Sequence, residues 1–303
     1  MSRFNNVASM RDVLSDEELK DYSRFFYYEF PDVVLNKKID DTSWYARDGI
    51  NWFYDKKLEG KTSIYHFDKN HKDINLIQIS HQNRAKFVLI VSGGGFSVID
   101  TAHEGIPIGK ELFDQGYDVF LLTYRLKEEA HLDNTTKDIN NALSFIKENE
   151  TRLNINLKDF ILIGCSAGAY VAGSYCSNNR GYVKYHNPKP KCLCLLYPIV
   201  DFHIEEKNIQ EVIIGKEPSQ YLIDKYSIVN HVKGTFPSTF IVHSKDDDCV
   251  PYQQSQLLYE ALKENGIKCQ FNLYKTGKHG WSIGKRLESE GWLESLVNFI
   301  KNL

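Results

Sequence analysis

Gly164-Cys165-Ser166-Ala167-Gly168 is the segment whose residue types most directly imply chemistry. It follows the apolar run Phe160–Ile163 and precedes the small-residue stretch Ala169–Gly173. A serine between glycines on a strand-to-helix turn is forced out of the backbone path, because side chains at the flanking positions would strike the strand and the helix. The serine also opens a helix, where the dipole favours negative charge. Its hydroxyl is a poor nucleophile alone and needs a base held by a third group. The competing reading is a glycine-rich turn with an ordinary capping serine.

With a nucleophile on such a turn, an acid and then a histidine follow in chain order. Asp247 stands in His243-Ser-Lys-Asp-Asp-Asp-Cys-Val-Pro251, and His279 in Gly277-Lys-His-Gly280. Each lies just past a strand-like run, so both fall on the sheet edge that carries Ser166. Spacing to Val250-Pro251 favours Asp247 over the adjacent Asp246 and Asp248, which remain alternatives. The oxyanion of an acyl transfer needs preorganised backbone donors. The Ala167 N–H is one; Ser92-Gly93-Gly94-Gly95-Phe96, directly after the run Phe87–Val91, offers amides without side chains. Those glycines match neither G-x-G-x-x-G nor the phosphate-loop pattern. His103 and Glu104 are expected to edge the pocket. His66, His71, His81, His131, His186, His203 and His231 are mostly in loops, and no histidine–carboxylate cluster is spaced for a metal.

The elements that must position these residues alternate along the chain. Strand-like runs fall at Asn75–Ser80, Phe87–Ser92, Tyr117–Tyr124, Asp159–Cys165, Cys192–Tyr197, Thr239–His243 and Cys269–Tyr274. Several lack polar alternation, as strands buried on both faces do. Between them, Thr135–Glu148 places Ile139, Ala142, Leu143 and Ile146 on one face. Pro251–Asn265 has proline near its start and Gly266 past its end, with Leu258, Ala261 and Leu262 inward. A last helix is expected over Arg286–Lys301. This alternation predicts a doubly wound, mostly parallel sheet in a three-layer α/β/α sandwich, with its chemistry at the strand carboxyl ends. An insertion over about 199–236, before the acid-bearing strand, is expected to shape a pocket.

Residues 71–303 read as the catalytic domain, and residues 1–70 as an aromatic-rich arm packed onto it. Ser15-Asp16-Glu17-Glu18 has the form of a capping box, which predicts a helix through about Tyr28. Trp44, Trp52 and Phe53 are among the aromatics that either pack this arm or wall the pocket. The chain has 303 residues and a formal net charge of -3, with no basic run, so no nucleic-acid partner is expected. No stretch of about 18 apolar residues predicts membrane insertion. The first residues carry no secretion-type apolar run, and the six cysteines are scattered. Together these predict reduced, mostly buried thiols in a cytoplasmic protein. Nothing in the sequence bears on oligomeric state.

The combined motifs resemble the α/β-hydrolase esterases and lipases related to bacterial acetyl esterases and acetylxylan-esterase-like proteins. Ser92–Phe96, His103-Glu104-Gly105 and Tyr124-Arg125-Leu126 are similar to that family's oxyanion segment and the Tyr-Arg after the next strand. Gly164–Gly168, His243–Pro251 and His279-Gly280-Trp281 resemble its elbow, acid loop and histidine loop. The resemblance implies Gly94, Gly95 and Ala167 as oxyanion donors, with Ser92 standing where many relatives have histidine. Phe96 and Trp281 are expected to line the substrate pocket.

What this implies is a carboxylesterase for short acyl groups on a small-molecule ester, with acetyl on a sugar as one candidate. It needs no cofactor and no metal, and should lose activity as the histidine protonates below about pH 6–7. The alternatives are a peptidase of the same fold and a non-catalytic binding protein.

Overall fold

Runs of Val, Ile, Leu and Phe without polar alternation become the inner strands, because parallel strands covered on both faces by helices have no wet side. The computed structural model describes residues 2–42, 44–204 and 207–303, apart from the side chains of Ser23, Arg24, Thr42, Trp44, Lys207 and Asn208. Strands β1 (Thr62–Tyr65), β2 (Leu76–Ile79), β3 (Ala85–Val91), β4 (Asp118–Leu122), β5 (Ile155–Cys165), β6 (Cys192–Leu196), β7 (Ser238–Ser244) and β8 (Cys269–Tyr274) form one sheet. Their order is β1-β2-β4-β3-β5-β6-β7-β8. The β1–β2 and β2–β4 pairs are antiparallel, and β4 through β8 run parallel. The carboxyl ends of β3, β5, β6, β7 and β8 therefore open on one edge.

One hydrophobic cluster lies on each face of the sheet. On one, Ile139, Ala142, Leu143 and Ile146 of the helix Asn134–Glu148 pack with Leu89, Leu162 and Leu195. On the other, Cys165, Cys192 and Cys194 pack with Ile90, Val119 and Trp292. None of the six cysteines is in a disulfide; Cys165, Cys176, Cys192 and Cys194 are buried, while Cys249 is exposed. Among the described residues no helix is long and apolar enough to cross a membrane.

Residues 1–70 depart from the expectation in two ways. The capping box is at Ser9 and Asp12, not at Ser15. Ser15 instead closes the helix Met10–Leu14, donating its N–H to the Arg11 carbonyl, and Asp16 takes the N–H groups of Glu18 and Leu19. The next helix is accordingly short, Lys20–Phe26. The segment also supplies β1, which pairs with β2 from Thr62↔Ile79 to Tyr65↔Leu76, so a boundary at residue 70 runs through the sheet. Phe25, Phe26 and Phe53 are buried, with the Phe26 and Phe53 ring centroids 4.9 Å apart. The Trp44 side chain lies outside the described residues.

At the other end of the chain, the last helix runs Trp292–Lys301 rather than from Arg286. Gly291 before it has φ of +90°, which ends the preceding turn and starts the helix late. Between β6 and β7 lie the helices Lys207–Ile214 and Gln220–Tyr226 with no strand among the described residues, as the insertion reading expected.

Candidate active site

Ser166 sits at the β5 carboxyl end with φ of +51° and ψ of -120°, a conformation that L residues adopt only when their surroundings impose it. Packing imposes it here. A Cβ on Gly168 would stand 2.1 Å from the Val91 carbonyl oxygen, and one on Gly164 would stand 2.6 Å from the Ala169 Cα. The helix Ala167–Cys176 starts immediately, aiming its first N–H groups at the serine side.

His279 and Asp247 arrive from the ends of β8 and β7. Ser166 Oγ lies 2.9 Å from His279 Nε2, and His279 Nδ1 lies 2.8 Å from Asp247 Oδ2. A carboxylate only accepts, so Nδ1 carries the proton and Nε2 is left to accept from Ser166. The neighbouring aspartates do other work. Asp246 accepts the Lys278 N–H at 3.0 Å, and exposed Asp248 lies 3.7 Å from the Lys278 ammonium.

Asp247 is held on all sides. Oδ1 takes the N–H groups of Cys249 and Val250 at 2.9 and 2.8 Å. Oδ2 takes, besides His279, the Nε2–H of His243 at 3.1 Å. Burial alone would raise its pKa, but the bonds from His243 and His279, the histidine charge and the Val250 N–H outweigh burial. The carboxyl is held well below the usual carboxylate range. His243 is wholly buried, and its Nδ1 accepts from Ser255 Oγ at 2.7 Å. Sequence reading missed this residue, although its place four positions before Asp247 at the end of a strand was the available signal.

The glycine loop after β3 folds on itself. The Gly94 carbonyl accepts from Ser97 and Val98, and the Gly93 carbonyl accepts from Asp100. Gly94 has φ of +129°, and a Cβ there would stand 2.3 Å from the Val98 carbonyl oxygen. Among the described residues the N–H groups of Gly94, Gly95 and Ala167 have no protein acceptor. Tyr124 Oη donates to the Ser92 carbonyl at 2.8 Å, a brace from the next strand. Arg125 beside it grips Asp138 with bonds of 2.6 to 3.2 Å.

A cavity of about 510 Å³ opens over Ser166 and His279. Gly94, Gly95, Val98, Asp100, Glu104, Ile199, Ile209, Asp248, Cys249 and Val250 line it. Ile199 and Ile209 come from the stretch between β6 and β7. Glu104 edges the cavity as expected. His103 is not in its lining and pairs with Asp100 at 2.6 Å.

Phe96 and Trp281 correct the pocket reading: both are core residues. Phe96 has φ of +58°, which swings its ring inward against Tyr124 and Tyr170. Trp281 lies behind the histidine, against Tyr197 and Trp292.

A protein-family model described as BD-FAE matches residues 73–262, well over half of the 303 residues. The chain belongs to the BD-FAE family. The BD-FAE match takes in Gly94, Glu104, Ser166 and Asp247 and ends before His279. Among curated proteins, the chain is 29% identical over 222 residues to an acetylxylan esterase of Xylanibacter ruminicola, covering 70% of this chain and 45% of that protein. It is 27% identical over 232 residues to endo-1,4-beta-xylanase B of Butyrivibrio fibrisolvens, covering 72% of this chain and 36% of that protein. The chain thus spans less than half the length of either relative. Among solved structures, an acetyl ester-xyloside bifunctional hydrolase from Caldicellulosiruptor lactoaceticus superposes with a TM-score of 0.71 at 22% identity, over 79% of this chain and 96% of that one. The α/β hydrolase MGS-M1, from a deep-sea metagenome library, gives 0.65 at 23% identity, over 80% and 96%. At these identities the likeness carries the fold: this BD-FAE member has the α/β-hydrolase fold.

Proposed function

We propose that the protein is a carboxylesterase that removes short acyl groups, foremost acetyl from carbohydrate hydroxyls, through an acyl-enzyme on Ser166. The observation that carries this reading is the continuous line Ser166 Oγ, His279, Asp247, with 2.9 and 2.8 Å separations at the floor of one cavity. Family membership and the similarity to an acetylxylan esterase support the acetyl-sugar choice.

His279 takes the Ser166 proton as Oγ attacks the ester carbonyl. The Gly94, Gly95 and Ala167 N–H groups hold the oxyanion. His279 then protonates the leaving alcohol, and water repeats the cycle on the acyl-enzyme. Asp247 fixes the tautomer and offsets the imidazolium charge. No step calls on a cofactor. The proposed catalytic residues all lie within residues 71–303, while residues 1–70 complete the sheet edge and core of the same unit. A cytoplasmic location is proposed on the six cysteines, none of them in a disulfide.

The test is a series of p-nitrophenyl acetate, butyrate and octanoate, with acetate release from acetylated xylo-oligosaccharides. Acetate is expected to be preferred over octanoate in kcat/KM by about 10-fold or more, since each misfit methylene costs about 1–3 kcal/mol. A preference for octanoate would sink the short-acyl reading. No turnover of any ester, with Ser166 refractory to a fluorophosphonate, would leave a non-catalytic binding protein.

His243 contributes through Asp247. Removing a hydrogen bond to a charged group costs about 1.5–3 kcal/mol. Expressed in the transition state, that is about 10- to 100-fold in kcat. His243→Leu is expected to show this loss with KM little changed in steady-state kinetics. An unchanged kcat would remove His243 from the site.

A further inference from the structure

Glu104 is a carboxylic side chain, 5% exposed, in the lining of the cavity, and the mechanism above does not use it. It comes from a π-helical turn, Thr101–Gly105, a rare conformation that recurs at functional sites. Its Oε2 accepts the Gly93 N–H at 2.5 Å, and its Oε1 accepts the Tyr197 O–H at 3.0 Å. A Cβ on Gly93 would stand 3.0 Å from Glu104 Oε2 and 2.8 Å from Ser166 Cβ, so the carboxylate and the nucleophile flank the same glycine.

Tyr197 carries the connection onward. It follows β6 with φ of +38°, a strained value for a bulky residue. That strain points its ring at His279 and Trp281, with centroids 4.8 and 5.4 Å away. Its Oη also accepts the Ser282 N–H at 3.2 Å, and Ser282 Oγ returns to the Glu104 carbonyl at 3.4 Å. One carboxylate therefore touches the glycine loop directly and the histidine loop through one tyrosine.

We propose that Glu104 is the positioning residue that ties the glycine loop to the histidine loop, so that the oxyanion donors and His279 keep one register about Ser166. The proposal rests on the ester-hydrolase reading of this site. A charged acceptor makes the stronger bonds. The carboxylate accepts the Gly93 N–H and the Tyr197 O–H as two charge-assisted bonds; in the protonated acid the oxygen that carries the proton becomes a donor, so one of the two is weakened or reversed.

Holding that charge has a cost. Burial, then the Asp100 charge, push the Glu104 pKa up to about 7, against the bonds from Gly93 and Tyr197 and the His279 charge. The titratable groups facing it are Asp100, His103, Tyr124, Cys165, Tyr197 and His279. An acid whose folded pKa is raised binds its proton more tightly when folded. Its contribution to stability thus falls as pH rises from 4.5 to about 7 and stays low above that. The ionised network that positions the loops is also the less stable state.

The test compares wild type, Glu104→Gln, Tyr197→Phe and the double variant on p-nitrophenyl acetate, with unfolding temperatures measured well above neutrality. Glu104→Gln is expected to lose about 10- to 100-fold in kcat, the scale of a misplaced group, with KM changed far less. Its unfolding temperature should be no lower than wild type, because the buried charge is gone. The double variant should lose no more than the worse single, since both cut one network. The acid limb of log kcat/KM against pH should be less steep by one proton in Glu104→Gln. An unchanged kcat overturns the proposal, as do single losses that multiply in the double, or a kcat loss accompanied by a lower unfolding temperature. If wild type turns over no ester, the ester-hydrolase reading fails instead, and the rate of fluorophosphonate labelling at Ser166 replaces kcat in the same comparison.

Discussion

Ser166→Ala is expected to lower kcat for ester hydrolysis about 10⁴- to 10⁶-fold, the range over which removal of a serine nucleophile acts. The argument is one of chemistry left behind. The variant keeps the Gly94, Gly95 and Ala167 N–H groups and the paired His279–Asp247, so it still polarises a carbonyl and still activates a water. What it lacks is the atom that converts one hard displacement into two easier ones. The Ser166 side chain bonds to His279 and serves no helix cap, so the fold does not depend on it. Alanine inherits the same φ of +51° imposed by Val91 and the elbow glycines, and the unfolding temperature should move by only a few degrees. Measuring kcat, fluorophosphonate labelling and unfolding temperature on one preparation separates the outcomes. Turnover within tenfold of wild type would take Ser166 out of the mechanism.

Ser166 was legible in the sequence because its geometry has local steric requirements. With the Gly168 Cβ position 2.1 Å from a carbonyl oxygen, the elbow is written into residue types. Asp247 and His279 were legible by place, since each follows a strand: β7 is buried almost throughout, and β8 is a half-buried edge strand in which apolar and polar residues alternate from Cys269 to Leu273. The inner strands were readable as apolar runs without polar alternation. β1 was not: it is a half-buried edge strand of four residues, without the alternation or the apolar run that marks a strand. The capping box was misplaced because Ser9 and Ser15 both precede acidic residues, and only tertiary contacts such as Arg3 with Asp16 decide between them. Phe96 and Trp281 flank the functional loops in sequence, yet backbone direction turns them into the core. Glu104 and Tyr197 are 93 positions apart and meet only in the fold, so no spacing rule could join them.

Asp247→Asn is expected to lower kcat by about 10⁴-fold while leaving the fold intact, the size seen when an orienting carboxylate becomes an amide. Here the surroundings dictate which way the amide faces. Two backbone N–H groups, from Cys249 and Val250, point at Oδ1, and only an oxygen can accept them. The amide nitrogen must then take the place of Oδ2, facing His279 Nδ1 and His243 Nε2. A donor there forces His279 to accept at Nδ1 and carry its proton on Nε2. Nε2–H now points at Ser166 Oγ, 2.9 Å away, and cannot receive the serine proton. His243 can answer only in part, because its Nε2–H retains the Val250 carbonyl at 2.9 Å. The loss should therefore appear in kcat for every acyl chain alike, since the base and not the pocket has changed. Comparing Asp247→Asn with Asp247→Ala sharpens the test. Alanine imposes no tautomer, so it should be the more active of the two if tautomer control is the main role of Asp247. If alanine is as slow as asparagine, charge compensation of the imidazolium dominates instead.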